Sequence, residues 1–237
     1  GGGGGYGAPL SPVRSPSGGG SSGYYASAGG SGEGATISGT RLHISGLHKR
    51  TQLIERSALG PHPAQQCECV IVDCHNSFIY LLAPVRSVLV LACTGCTLVL
   101  GAVARCLSVE HSERTRVHAV CAAVRVCNSI ELNLYVCVNR RPVLTGENHR
   151  IALAPYNTYF SSLGADLDAA GVRPELRFNQ WASPVSFSQP NAPVLPAFAS
   201  LLPPARFLPF NVPFELLAKT AQSGGGGHAG GLAVESG

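Results

Sequence analysis

Small polar or cysteine residues recur at Cys74, Cys93, Ser112, Ser129 and Asn148, with spacings of 19, 19, 17 and 19. A fixed short period of this kind signals a chain built from repeated turns. The residues flanking each marker repeat with it. Five before stand Cys69, Val88, Leu107, Val124 and Val143, and three before stand Ile71, Val90, Val109, Val126 and Thr145. Five after stand Ile79, Leu98, Val117, Leu134 and Leu153, and seven after stand Leu81, Leu100, Ala119, Val136 and Pro155. Alternation with period two inside each run means short strands whose apolar positions share one face. Helical repeats need longer amphipathic runs, with units of about 33–47 residues. The expected fold is therefore all-β, a right-handed parallel β-helix (solenoid) of about 19-residue coils, with the small markers at corners.

A solenoid needs covered ends. Leu163, Leu167 and Ala170 share one helix face, Gly171 suits a C-terminal cap, and Pro174 stops the helix. Tyr156–Ala170 is read as a mainly helical cap with Trp181 packed nearby, and Pro184–Pro213 as an extended strap. Glu55 stands nineteen before Cys74 without matching columns, so Arg41–Ser57 reads as an imperfect first coil or strand. The Gly-, Ser- and Ala-rich ends bury too little apolar surface to order themselves. The expected division is 1–35 disordered, 36–66 a lead-in or cap, and 67–155 the solenoid, then 156–187 the helical cap and Trp strap, 188–222 a Pro-rich extension, and 223–237 a disordered tail.

Charge excludes several functions. Only 13% of residues are charged and the balance is +4, too weak for a nucleic-acid footprint. Fifteen of the 17 basic residues are arginines, which suit paired or stacked contacts. Ser87–Ala104 is uncharged throughout, but it is β-branched and lies inside the repeat, so no membrane span is expected. The nine cysteines are read as reduced, mostly buried thiols of a cytoplasmic protein. Cys93-x-x-Cys96, or Cys67-x-Cys69 with Cys74 and His75, could suggest zinc. However, Cys93 and Cys96 share columns with Ser112, Ser77 and Thr115, which marks them as small inward residues. No metal and no cofactor is expected. The acids Glu68, Asp73, Glu110, Glu113, Glu131 and Glu147 form no row of the kind a carbohydrate-cleaving solenoid needs. No phosphate loop and no Ser–His–acid triplet is present.

Several segments resemble the TBCC (tubulin-binding cofactor C-like) family. Cys74-His-Asn-Ser-Phe-Ile-Tyr-Leu-Leu-Ala-Pro-Val-Arg86 resembles its first clear coil, and Thr97-Leu-Val-Leu-Gly-Ala-Val103 the second. Leu153-Ala-Pro-Tyr-Asn-Thr-Tyr-Phe160 resembles the exit segment, and Asn179-Gln-Trp181 with Pro184 the later Asn-x-Trp motif. The match covers about 41–216 in order. Leu42-His-Ile-Ser-Gly-Leu-His-Lys-Arg-Thr-Gln-Leu-Ile54 and Phe207-Leu-Pro-Phe-Asn-Val-Pro-Phe-Glu-Leu216 are similar to the branch found at centrosomes and basal bodies. That resemblance implies a non-catalytic cytoskeletal scaffold that positions centrosomes or basal bodies, and the Golgi in animal cells. Its implied partners are proteins: centrosomal or basal-body components, tubulin, or a small GTPase.

Other family members activate GTPases by inserting an arginine from a Cys-Gln-Gln-x-Arg segment. Cys121-Ala-Ala-Val-Arg125-Val matches it, with Ala122 and Ala123 replacing the glutamines. By resemblance Arg125 is the candidate arginine finger, a device that accelerates hydrolysis by about 10³–10⁵. By spacing, Arg125 lies between inward Val124 and Val126, at the offset of Val70, Leu89, Ser108 and Leu144, and so points outward. The alternative is a solvated arginine paired with Glu110. Arg114, Arg116, Arg140 and Arg141, near the shortest coil, join Arg125 as candidates for binding an acidic partner surface.

Overall fold

The computed structural model describes residues 34–60, 62–63, 66–187 and 195–213. About half of these lie in strands, beginning with β1 (Ala35–Ser38), β2 (Arg41–Ser45), β3 (Thr51–Glu55), β4 (Glu68–Val72), β5 (Phe78–Leu82), β6 (Val85–Leu91), β7 (Thr97–Glu110), β8 (Arg116–Cys127), β9 (Asn133–Val138), β10 (Val143–Thr145), β11 (Ile151–Pro155) and β12 (Thr158–Tyr159). The one α-helix among the described residues, α1 (Leu163–Ala170), follows, then β13 (Val185–Ser186), β14 (Ala199–Leu201) and β15 (Phe210–Asn211). The expected disordered ends, and part of the expected Pro-rich extension, lie outside the described residues.

Every strand pairing except β1 with β2 is parallel. Each repeat lies in register on the next. Ile71 pairs with Val90, Val90 with Val109, and Val109 with Val126. Ile79, Leu98, Val117, Leu134 and Leu153 form a second file. All of these side chains are buried and belong to one continuous apolar core. Burying each one fully stabilises the fold by roughly 1.5–3 kcal/mol before entropy is counted.

The corners depend on left-handed backbone. Asp73, Ala92, His111 and Asn128, each just before a marker, have positive φ, as do Asn76, Gly95, Arg114, Glu131 and Arg150 just after. The markers between them are buried and bond upward in sequence. Cys93 N–H donates to Ser112 Oγ at 3.2 Å, Ser112 N–H to Ser129 Oγ at 3.2 Å, and Ser129 N–H to Asn148 Oδ1 at 3.0 Å. Small polar side chains recur there because each satisfies an amide that burial would otherwise orphan.

Three expectations need correction. First, Arg41–Glu55 is a full repeat in register, with Leu42 on Cys69, Ile44 on Ile71 and Ile54 on Leu81. Its path to the next repeat is longer than in the later coils, because a short 3₁₀ turn at Arg56–Leu59 and the segment after it are inserted. Second, Leu144 rather than Thr145 stands under Val126, so Val143 rather than Leu144 stands under Arg125. One extra residue around Gly146 (φ 67°) precedes Asn148 and shifts the register. Third, the helix is confined to Leu163–Ala170, and β12 occupies part of the span before it. Gly171 caps it in the left-handed conformation, its N–H reaching Asp168 O at 3.2 Å.

The helix does not sit over the end of the ladder. Its Leu163 and Ala170, with Phe160, Val172 and Val212, cover an outward file of Tyr80, Val99 and neighbouring apolar side chains and form a second core. The last repeat is instead covered by β13 on β10 and β14 on β11, with Trp181 and Phe198 packed against the main core. At the opposite end antiparallel β1 pairs with β2, and Ala35 and Ile37 pack on the core.

Ser87–Ala104 falls in β6 and the first half of β7, not in a helix. No helix among the described residues is long and apolar enough to cross a membrane.

Candidate functional site

The sequence candidates fall in two groups, with Arg116 and Arg125 near opposite ends of β8. Arg125 lies in its second half, on the outer face between buried Val124 and Val126. It sits beside Ser108 in register, and Ser108 beside Leu89. The repeat shortens just before it. One residue is lost where Leu100 and Gly101 face Ala119, and another where Ala104 and Arg105 face Ala122. The first of these corners brings backbones close enough to require glycine, because a Cβ on Gly101 would stand 2.5 Å from Ala83 O.

The Arg125 side chain is 48% exposed and is tied to its neighbours. Its Nε donates to Ser108 Oγ at 3.1 Å, and its Nη2 pairs with the Glu110 carboxylate. Ser108 Oγ donates onward to Glu110 Oε1 at 2.8 Å. Arg125 and Arg140 both act electrostatically on the Cys106 thiol, which burial nevertheless pushes up. Arg141 has a different role: its Nε donates to Ser183 O at 2.8 Å and its Nη2 to Pro184 O at 3.4 Å, fastening the segment that leads into β13.

Arg114 and Arg116 belong to the other group. They line an open groove of about 610 Å³ with Glu131, Asn133, Arg150 and the Ala197–Ser200 stretch. Arg114 follows its marker with φ 48° and pairs with Glu113 at 3.4 Å. Arg150 pairs with Glu131. Thus the five candidate arginines do not form one patch.

The remaining candidates are accounted for locally. Cys74, Cys93 and Cys96 are buried, with Sγ–H groups directed at carbonyls, including Cys96 to Cys74 O at 3.2 Å. Hydrogen bonds to Cys74 and Cys96, then burial, push the Cys93 thiol up. The acids are distributed among separate pairs: Glu68 with Arg41 and Arg86, Asp73 with His75, and Glu110, Glu113 and Glu131 with arginines.

One position was not read from the sequence as special. His118 is buried in the outward file, stacked on Tyr135 at 4.6 Å and tilted against Phe210 at 4.5 Å. Its Nδ1 meets Asn157 Oδ1 at 2.7 Å, and Asn157 Nδ2 donates to Leu208 O at 2.7 Å. Its ring therefore anchors β15 and the turn before it. The one available signal was its place beside Tyr80 and Val99, in an outer file too apolar to face water.

Residues 66–187, which hold most of this ladder of parallel repeats, match a known family model described as tubulin binding cofactor C. That is just over half of the chain, and the chain belongs to the TBCC family. Among individual proteins it is similar to "TBCC domain-containing protein 1" of Bos taurus, 31% identical over 153 residues, 65% of this chain and 27% of that protein. The Homo sapiens protein of that name is 30% identical over 153 residues, 65% of this chain and 27% of its own length. The Xenopus tropicalis one is 28% identical over 213 residues, 80% and 38% respectively. The chain thus spans 27–38% of these relatives.

Proposed function

We propose that this chain is a docking module for cytoskeletal proteins, acting at the centrosome or basal body in the cytoplasm, and in Golgi positioning in animal cells. Its frame is a right-handed parallel β-helix with residues 67–155 at its centre. The parallel ladders and the strong handedness rule for parallel crossovers support that winding. Membership of the TBCC family supports a tubulin-linked role.

The observation that carries the docking reading is the tether on Arg125. A guanidinium engaged by Ser108 and Glu110 presents a fixed polar surface to a partner. To act as a finger it would have to exchange Glu110 for a transferring phosphoryl group. The second reading, GTPase activation in trans, draws on the exposure of Arg125 beside the short repeat. Tagged protein is expected to concentrate at centrosomes or basal bodies; diffuse label throughout the cytosol would sink the docking reading. GTP hydrolysis by a tubulin- or Arl-type GTPase is expected to be the same with wild type and Arg125→Ala. A rate that collapses with Arg125→Ala establishes the second reading instead.

A further inference from the structure

We infer that the groove over β8, β9, β11 and β14 is a docking site for an extended, carboxylate-rich peptide of a partner protein, read by Arg116. The inference rests on the docking reading above and names the surface and the chemistry it takes.

The floor of the groove is set by register. Arg116 pairs with Asn133, Asn133 with Ala152, and Ala152 with Ser200, so these side chains stand in one outward file. Two strands earlier the same file holds Phe78, then Thr97. Asn133, Ala152 and Ser200 line the groove beside Arg116. Three inter-strand steps give it a length of about 14 Å, enough for about four residues of extended chain. Asn133 and Ser200 offer donors and acceptors to a peptide backbone.

Charge selects the occupant. The lining holds three arginines and one carboxylate, Glu131. Arg150 answers Glu131, and Arg114 answers Glu113 on the rim. Arg116 is exposed and has no ion-pair partner among the described residues, although it is flanked by two guanidiniums. A guanidinium fork takes a carboxylate in a bidentate pair. β14 ends its sheet with one edge unpaired among the described residues.

The test uses the full chain and a fluorescein-labelled decapeptide of alternating Glu and Gly, followed by anisotropy at low and physiological salt. The Glu peptide is expected to bind, and its Gln counterpart to bind at least about tenfold more weakly. Arg116→Ala is expected to weaken binding by about tenfold or more, and Arg116→Lys by less. Arg41→Ala, on β2 and outside the groove, is expected to leave it unchanged. Equal binding of the Glu and Gln peptides, or no loss with Arg116→Ala, overturns the proposal. So does inorganic phosphate displacing the peptide at equal concentration, which would mark a site for phosphorylated ligands. Failure here with normal centrosomal or basal-body enrichment removes the groove and leaves the docking reading standing. Peptide binding with diffuse label does the reverse.

Discussion

Arg125 and Glu110 close an ion pair across adjacent strands of the ladder, and Ser108 bonds to both partners. The pair is half open to water, so its contribution to folding is small, under about 1 kcal/mol. Glu110→Ala and Arg125→Ala are each expected to shift the thermal midpoint little. The two variants separate the functional readings. If Arg125 is a finger restrained by Glu110, then Glu110→Ala raises GTP hydrolysis by a partner GTPase while Arg125→Ala abolishes it. Docking predicts that neither variant changes the rate.

The marker file makes a sharper demand on stability. Ser129 Oγ is the acceptor for the buried Ser112 amide, and Ser129 also donates to Cys127 O at 2.9 Å. Ser129→Ala leaves that amide without a partner inside the core, at a cost of about 1–3 kcal/mol. Ser200→Ala, on an exposed position, is expected to stay within about 0.5 kcal/mol. Urea unfolding midpoints distinguish the two, and equal midpoints would refute the role given to the markers.

These same markers explain how much of the molecule could be read in advance. Residues at fixed offsets from them alternate inward and outward, and the structure pairs Ile71 with Val90 and Leu98 with Val117 as that alternation requires. Reading failed where the offset changed. Leu42 and Cys69 share a file, but the inserted 3₁₀ turn separates them too widely for the period of the later coils to find them. Gly146 added one residue and moved Leu144 into the place assigned to Thr145. The site was less legible than the fold. Arg125 was read as outward, with pairing to Glu110 as the alternative to a finger, because both lie on neighbouring repeats. The groove was not read, because Ser200 reaches the Arg116 file only after the chain has passed through α1 and β13. The role of His118 was not legible in the sequence because its cover, Phe210, arrives from far along the chain.

Gly101 tests the close approach at the shortened corner. A Cβ there would stand 2.5 Å from Ala83 O and 3.0 Å from Ala83 N, both backbone atoms that cannot swing away. Gly101→Ala is expected to destabilise by about 2 kcal/mol or more. A Cβ added to Gly164, inside α1, would meet nothing within 4 Å. Gly164→Ala is expected to stabilise by up to about 1 kcal/mol through helix propensity. Opposite signs in denaturant titrations support the packing argument; a neutral Gly101→Ala removes it.

His118 couples the fold to acid. Burial pushes its imidazole down to about 4, nearby Arg116 adds to the fall, and the Asn157 hydrogen bond opposes it. With Nδ1–H donated to Asn157 Oδ1, the ring is neutral, and its Nε2 is buried without a partner. In the unfolded chain the ring titrates near about 6.5. Between those two values the unfolded chain binds a proton that the folded chain refuses, so stability falls as pH falls. The contribution is complete above about pH 6.5 and is lost progressively towards pH 4, on the order of 3 kcal/mol in all. His118→Leu keeps an apolar side chain between Tyr135 and Phe210 but cannot take up the proton. Unfolding free energies measured at pH 7.5, 6 and 5 are expected to drop more steeply for the wild type than for this variant. The same slope in both proteins would show that His118 is not the group that links Phe210 and the β15 segment to pH.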